Sequence, residues 1–215
     1  MLPARTDDRE VLEIFARMNA TGVKLNAQEL RNAEWFGDFK TSMYQLASEQ
    51  LQRWREWKIF SEDNIARMEE VEIVSEFAQF ALKGITHKTQ SALDKLYEDH
   101  DDNFPERKEF ERRFRTVMDY IDDHLGPEMP KLAFHRKTLF YSLFALVYDL
   151  LFGLGSPLNR KKPGQIQRRI LTWVKTASTR IEKGTAPQKV LDAAARRTTH
   201  LISRRKLLQY LSRGN

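Results

Sequence analysis

The stretch from Leu139 to Phe152 constrains the fold most, because it is the most apolar part of the chain. It covers only 14 residues, whereas a helix that spans a bilayer needs roughly 20. A helix that is apolar on every side is typical of a protein core. We therefore predict a central core helix over this stretch, with the other segments packed around it.

The flanking segments carry apolar residues at helical spacing, and none alternates in the way a strand does. Gly, Pro, Ser, Thr and Asp residues divide them at positions that suit helix ends. Helices are predicted from an Asp38 cap to about Trp57, from a Ser61 cap to Lys83 before Gly84, from Thr89 to Asp99, from Pro105 to Leu125, from Gln165 to Lys183, from Pro187 onward, and from a Ser203 cap to Leu211. The prediction is an all-α protein, an irregular bundle of about seven to nine helices with a basic C-terminal helical segment. Trp54 and Trp57 fit either a core or an exposed interface.

The net charge of +6 conceals a strong asymmetry along the chain. Residues 1–40 carry a net charge of −1 and residues 41–155 a net charge of −6. Residues 156–215, the basic segment, hold 15 basic and 2 acidic side chains, a net charge of +13. We therefore predict two units: a helical core over residues 1–155, and a basic helical segment over residues 156–215 that packs on it.

The basic segment concentrates its charge in four clusters, and this pattern favours binding to phosphates. The predicted nucleic-acid-binding residues are Arg160, Lys161, Lys162, Arg168, Arg169, Arg196, Arg197, Arg204, Arg205 and Lys206. No base-reading helix is recognisable, so we expect contacts to the DNA backbone without sequence specificity. Two alternatives stay open: an acidic partner, which includes the chain's own acidic segment, and plain solubility.

Other chemistry has weaker support in the sequence. The chain has no cysteine, which excludes disulfides and thiol nucleophiles. His124-Leu-Gly-Pro127 and the acidic pairs Asp101-Asp102 and Asp122-Asp123 are better explained as a helix end and as solvated turns. We predict no catalytic residue, no metal and no cofactor. The N-terminus has no apolar run of the signal-peptide kind, so we expect a cytoplasmic protein without a membrane segment.

A compact corner near the N-terminus combines a helix end, a glycine turn and a helix start. Val11, Phe15 and Met18 mark an apolar helix face, which Gly22 can end. Asn26 and Glu29 have the spacing of a capping box, so the next helix should begin near Ala27. Capping explains these residue types, but it does not require Arg17, Arg31 or Asn32.

This corner resembles the signature of the GmrSD-type restriction endonuclease family. The matching residues are Phe15, Arg17, Asn19, Thr21, Gly22, Leu25, Asn26, Glu29, Leu30, Arg31 and Asn32. In that family the signature follows a ParB/sulfiredoxin-like domain that carries an Asp-Gly-Gln-Gln-Arg motif, and it opens a long helical region. The present chain has no Asp-Gly-Gln-Gln-Arg motif, so it resembles the helical portion without the parts that carry the chemistry.

The resemblance implies a non-catalytic DNA-binding or scaffold module of a bacterial defence protein. Its partner would be a separate or missing ParB/sulfiredoxin-like catalytic half, toward which Arg17, Arg31 and Asn32 are expected to face. Two other interpretations are an inactive fragment of a nucleotide-dependent DNA endonuclease and a module that docks an acidic protein. On its own, the chain is not expected to be an enzyme.

Overall fold

A computed structural model describes residues 24–154, 158, 164–196 and 198–214. Within these ranges the chain forms eleven α-helices and no strand, which confirms the all-α class. The helices are α1 Ala27–Glu34, α2 Asp38–Glu49, α3 Leu51–Glu56, α4 Glu62–Ala66, α5 Glu69–Lys83, α6 Gln90–Asp99, α7 Arg107–Leu125, α8 Lys137–Phe152, α9 Arg168–Glu182, α10 Gln188–Ala195 and α11 Leu201–Leu211. Short 3₁₀ turns cover Gly126–Lys131, Ala133–His135 and Ser212–Gly214.

Helix α8 lies at the centre of the bundle, as its composition predicts. None of its side chains is exposed, and α5, α7 and α11 pack around it. Aromatic rings fill the space between these helices: the Phe77 and Phe144 rings stack with centroids 3.8 Å apart, and Phe140 meets Trp54 edge to face at 5.7 Å. Trp54 and Trp57 are both buried, so they belong to the core and do not form an exposed interface.

The helix count exceeds the predicted seven to nine because two predicted helices are broken. The helix predicted from Asp38 to Trp57 breaks at Gln50, where the Trp54 indole turns in and donates to the Ala47 carbonyl at 3.1 Å. The helix predicted over Glu62–Lys83 breaks at Met68, which adopts a left-handed conformation with φ of 59°. Such a residue costs about 1 kcal/mol or more, so tertiary contacts must hold the break.

Several predicted helix ends are confirmed and two are wrong. Ser61 caps α4 through a capping box, and Gly84 ends α5 with a φ of 76°. The N-cap of α2 is Gly37, and Asp38 is the first helical residue. Position 37 has no room for a side chain, because a Cβ there would overlap the Asp101 carbonyl. Ser203 lies inside α11, whose N-cap is His200. Helix α11 therefore begins at Leu201, before the predicted cap.

The basic segment shares the core of the preceding helices. Buried apolar residues from Phe39 to Leu211 form one continuous cluster. The Ala133 amide donates to Ser178 Oγ of α9 at 2.8 Å, which fastens α9 to the turn before α8. Since these helices close the core, removing them would expose apolar surface, and point variants are the better probe of their charge.

We expect Phe144→Ala to lower the free energy of unfolding by about 3–5 kcal/mol, the usual cost of truncating a fully buried phenylalanine. Phe36→Ala is the matched control, because that ring is 73% exposed and should change stability by less than about 0.5 kcal/mol. Urea unfolding followed by circular dichroism measures both. Equal effects of the two variants would contradict the assignment of α8 to the core.

Candidate nucleic-acid interface

The described half of the corner motif builds the start of α1 as predicted. Asn26 Oδ1 accepts from the Gln28 and Glu29 amides at 2.8 and 2.9 Å, while the Asn26 amide donates back to Glu29 at 2.6 Å. The Asn26 side chain also donates to the Arg67 carbonyl at 2.7 Å. That carbonyl lies at the break between α4 and α5, so one asparagine caps α1 and stabilises the break. Phe15, Arg17, Asn19, Thr21 and Gly22 lie outside the described residues.

Arg31 points into the fold, which corrects the expectation that it faces a missing catalytic half. Its side chain is 1% exposed. The guanidinium donates to Asp94 at 2.8 Å and to Gln28 at 3.0 Å, and it also bonds Gln90. A guanidinium with this many internal acceptors is structural. Asn32 is half-buried, and its carbonyl accepts from Lys40 Nζ at 2.7 Å.

Arg31 belongs to a buried ionic network that is centred on two carboxylates of α5, Glu72 and Glu76. Glu72 pairs with Arg31 at 3.4 Å and with Lys88, and Glu76 pairs with Lys88 at 2.7 Å and with Arg204. Burial opposes the charged form of Glu72, but Lys88 and Arg31 outweigh it and hold the pKa of Glu72 below its ordinary value. Burial likewise opposes the charge of Lys88, and the two glutamates raise the pKa of Lys88 in spite of it. Glu72 and Lys88 therefore both stay ionised at neutral pH.

Arg204 occupies the far end of this network, which corrects its prediction as a nucleic-acid contact. The side chain is 4% exposed, lies with its guanidinium carbon 3.7 Å from the Tyr141 ring centroid, and donates to the Thr86 carbonyl at 3.3 Å. A buried arginine that already has a carboxylate, a carbonyl and an aromatic face as partners cannot reach a phosphate outside the fold. Arg204 anchors α11 instead.

The other described cations of the predicted set are exposed. They are Arg168, Arg169, Arg196, Arg205 and Lys206, and within the described ranges none has a carboxylate in ion-pair distance. Arg180, Lys183, Lys189 and Arg213 share this state, although sequence reasoning missed them because each stands alone in the chain. Helical spacing could have indicated such a residue from the sequence, since Arg169 and Arg180 are eleven residues apart and both lie on the exposed side of α9. Arg160, Lys161, Lys162 and Arg197 lie outside the described residues.

Aromatic rings join the exposed cations of α9 to the end of α11. The Trp173 indole donates to the Tyr210 carbonyl at 3.0 Å, and the two rings meet with centroids 5.4 Å apart. The Arg180 guanidinium lies 5.9 Å from the Trp173 ring centroid, and that of Arg213 lies 5.7 Å from the Tyr210 ring centroid. Two cations distant in sequence are thus held on one surface.

The starts of α9, α10 and α11 add positive potential to this surface. None of these three helices has a side-chain cap hydrogen bond or an acidic residue in its first turn. Arg168 and Arg169 occupy the first turn of α9, where the helix dipole already disfavours cations. This arrangement costs stability in the free protein, and a phosphate at the helix start would relieve it.

The residues weighed for other chemistry have structural partners. Asp101 Oδ1 accepts from the Gly37 amide at 2.6 Å, and Asp122 pairs with Arg53 at 2.9 Å. His124 Nδ1 lies 2.9 Å from the Tyr120 carbonyl, and its ring stacks on that of Tyr120. In the part of the chain that the structure describes, no three His, Asp or Glu residues form a group that could hold a metal ion.

No protein-family model, curated protein or solved structure matches this chain. The resemblance to the GmrSD-type family therefore rests on the corner residues alone.

None of the helices over the described ranges combines the length and apolar character that a bilayer crossing requires.

The adjacent residues Arg204 and Arg205 provide a sharp test of the surface assignment. Arg204→Met should destabilise the protein by about 3 kcal/mol, because it removes one partner of a buried ion pair. Arg205→Met should change stability by less than about 0.5 kcal/mol. Urea unfolding of the two variants decides between them. If Arg205→Met is the more damaging variant, the assignment of the two arginines is wrong.

Proposed function

We propose that this protein is a non-catalytic DNA-binding or scaffold module that contacts the phosphate backbone through the exposed cations of α9, α10 and α11. The observation that carries the proposal is the lack of acidic partners for these cations within the described part of the chain. Surface cations in globular proteins are usually interspersed with acids, which limits their mutual repulsion. A surface whose cations have no acids among them is suited to bind a polyanion.

The chain's own acidic residues do not neutralise this surface. Of the described cations in the basic segment, Lys175 pairs with Glu128 at 2.5 Å and Arg204 pairs with Glu76. One of the segment's two acids, Glu182, is itself engaged by Arg136 at 2.9 Å. Most of the positive charge is therefore available to an external partner, which favours nucleic acid over internal pairing.

The hydroxyl groups of α9 favour backbone contact over base reading. Thr172, Thr176 and Thr179 all lie on the exposed side, and each donates its hydroxyl proton to a carbonyl one turn earlier. The donors left on this side are guanidinium and ammonium groups. Such groups are suited to phosphate oxygens, and phosphate contacts position a protein on DNA without carrying sequence information directly.

The resemblance of the corner extends the proposal to a biological setting. We infer a cytoplasmic helical part of a GmrSD-like bacterial defence protein, in which a ParB/sulfiredoxin-like half supplies nucleotide hydrolysis and a separate nuclease half supplies DNA cleavage. In this arrangement the present chain carries DNA contact and the partner carries the chemistry. An inactive fragment of a nucleotide-dependent endonuclease would present the same surface, since the cations belong to the helical part.

A protein-interaction module is the second candidate, and one observation favours it. Ile202 is 66% exposed on the same helix as Arg205 and Lys206. An exposed aliphatic residue beside cations provides apolar contact to a protein partner, whereas phosphate backbones offer no apolar contact.

Fluorescence anisotropy with duplex DNA across a salt series tests the proposal. The full chain should bind two duplexes of unrelated sequence equally, and the logarithm of affinity should fall linearly with the logarithm of salt concentration. The triple variant Arg168→Ala, Arg169→Ala, Arg205→Ala should reduce the steepness of that slope by about 0.9 for each phosphate that the protein no longer neutralises.

A matched control removes three cations elsewhere: Arg55→Ala, Lys95→Ala, Lys108→Ala, all exposed and outside the basic segment. It should keep the slope of the wild-type protein although its net charge is equally reduced. Equal reductions of the slope in both triple variants would show a response to net charge alone and contradict a defined interface. Tighter binding of poly-glutamate than of DNA, abolished by Ile202→Ser, would favour the protein-docking candidate.

A further inference from the structure

Glu70, the second residue of α5, is a buried carboxyl group without a cationic partner. It is 7% exposed. Its Oε2 has no hydrogen-bond partner, and among the described residues no cation lies within ion-pair distance of it. Glutamates are almost never buried unless they are paired. In this respect Glu70 differs from Glu72 and Glu76 on the same helix, each of which has two cationic partners.

The charged groups that surround Glu70 are acidic or already paired. Glu69 precedes it in the chain and pairs with Lys137 of α8 at 2.5 Å. Arg67, three residues before Glu70, pairs with Glu29 of α1 at 3.2 Å. Both cations are therefore engaged by other acids, and the charge of Glu69 opposes the ionisation of Glu70. Helix α4 contributes two exposed acids at its start, Glu62 and Asp63.

The other helices packed against α5 contribute uncharged aromatic groups. The Tyr44 hydroxyl of α2 donates to Met68 Sδ at 2.8 Å, and the Tyr97 hydroxyl of α6 is hydrogen-bonded inside the core. Burial raises the pKa of both tyrosines, so both are neutral at neutral pH. Helices α7 and α8 contribute the rings of Phe114 and Phe144. The surroundings of Glu70 therefore accommodate a neutral carboxylic acid better than a carboxylate.

Burial raises the pKa of Glu70 to about 7 and outweighs a hydrogen bond from its own backbone amide. A glutamate in an unfolded chain has a pKa of about 4.3. Between these two values the folded protein retains a proton that the unfolded chain has released. The stability contributed by the protonated carboxyl is therefore complete below about pH 4.3 and is lost as the pH rises through about 7.

Glu70 lies directly after the break between α4 and α5, where other elements are attached. Met68 is left-handed at this break. The Asn26 side chain of α1 donates to the Arg67 carbonyl at 2.7 Å, and Tyr44 of α2 contacts Met68. Met68 and Glu69 are only partly buried, so a small opening of the break would bring the Glu70 carboxylate into water. An ionised Glu70 therefore favours the opening of this break.

We propose that Glu70 is a pH-sensitive switch: the protonated carboxyl closes the break between α4 and α5, and its ionisation above neutral pH loosens the attachment of α1 and α4 to α5. The switch belongs to the N-terminal half of the bundle, away from the exposed cations of α9, α10 and α11. It is therefore independent of whether those cations bind DNA.

A ¹³C NMR titration of the full chain from pH 4 to pH 9 tests the protonation directly. The side-chain carboxyl carbon of Glu70, assigned through its own backbone amide, should titrate with a midpoint at about pH 7. Exposed Glu98 serves as the internal control and should titrate at about pH 4.3. A midpoint for Glu70 that coincides with that of Glu98 overturns the proposal, and this measurement needs no variant to fold.

Urea unfolding at pH 5 and pH 8 tests the effect on stability. The unfolding equilibrium constant of the wild-type protein, divided by that of Glu70→Gln, should rise at least about tenfold between the two pH values, because each unit of pKa difference is a factor of ten. The glutamine stays neutral throughout. The same ratio for the control Glu98→Gln should stay constant. A constant ratio for Glu70→Gln as well would contradict the proposal.

Hydrogen exchange at pH 8 tests where the loosening occurs. Amides of α1, such as the Leu30 amide that donates to the Asn26 carbonyl, should exchange at least about tenfold faster in the wild type than in Glu70→Gln at the same pH. Amides in the middle of α7 should differ by much less. An equal acceleration in α1 and α7 would show a global loss of stability, and no acceleration in α1 would show that ionisation leaves the break closed. Either result overturns the switch.

Discussion

The structure depends on two carboxylates one turn apart on α5, Glu72 and Glu76. Through Arg31, Lys88 and Arg204 they connect α1, the loop before α6, and α11. Removing ions from water is costly, and only a set in which every charge has partners recovers that cost. Loss of one member leaves another unpaired inside the fold, so α1 and α11 are held to α5 as a group. The N-terminal corner and the basic C-terminal segment thus meet on one helix.

This network also divides the charge of the basic segment into two roles. Arg204 pairs with Glu76 inside the fold and anchors α11, whereas Arg205 and Lys206, the next two residues of the same helix, are exposed. Lys175 forms an ion pair with Glu128 at the surface. The remaining exposed cations repel one another and oppose the dipoles of the helix starts. We interpret this loss of stability as the consequence of a surface that binds a polyanion.

How much of this was predictable from sequence depends on whether a feature is local. The caps at Asn26 and Ser61 and the glycine end at Gly84 follow from neighbouring residues, and all three predictions are confirmed. The break at Met68 was not predictable, because the Arg67 carbonyl that it frees is satisfied by Asn26, about forty residues away. Arg204 and Arg205 are neighbours in one basic cluster, and the sequence does not indicate which of them is buried. Only the packing of α11 against α5 and α8 separates a buried anchor from a surface contact.

The measurement that tests the central claim most directly is a ¹H–¹⁵N NMR titration of the full chain with unlabelled duplex DNA. The account predicts shift changes concentrated in the first turn of α9, in α10 and on the exposed side of α11, while amides around Asp101, which binds the Gly37 amide at the start of α2, stay unchanged. Changes spread over the whole protein, or centred outside α9 to α11, would contradict the division between a structural network inside and a phosphate-binding surface outside.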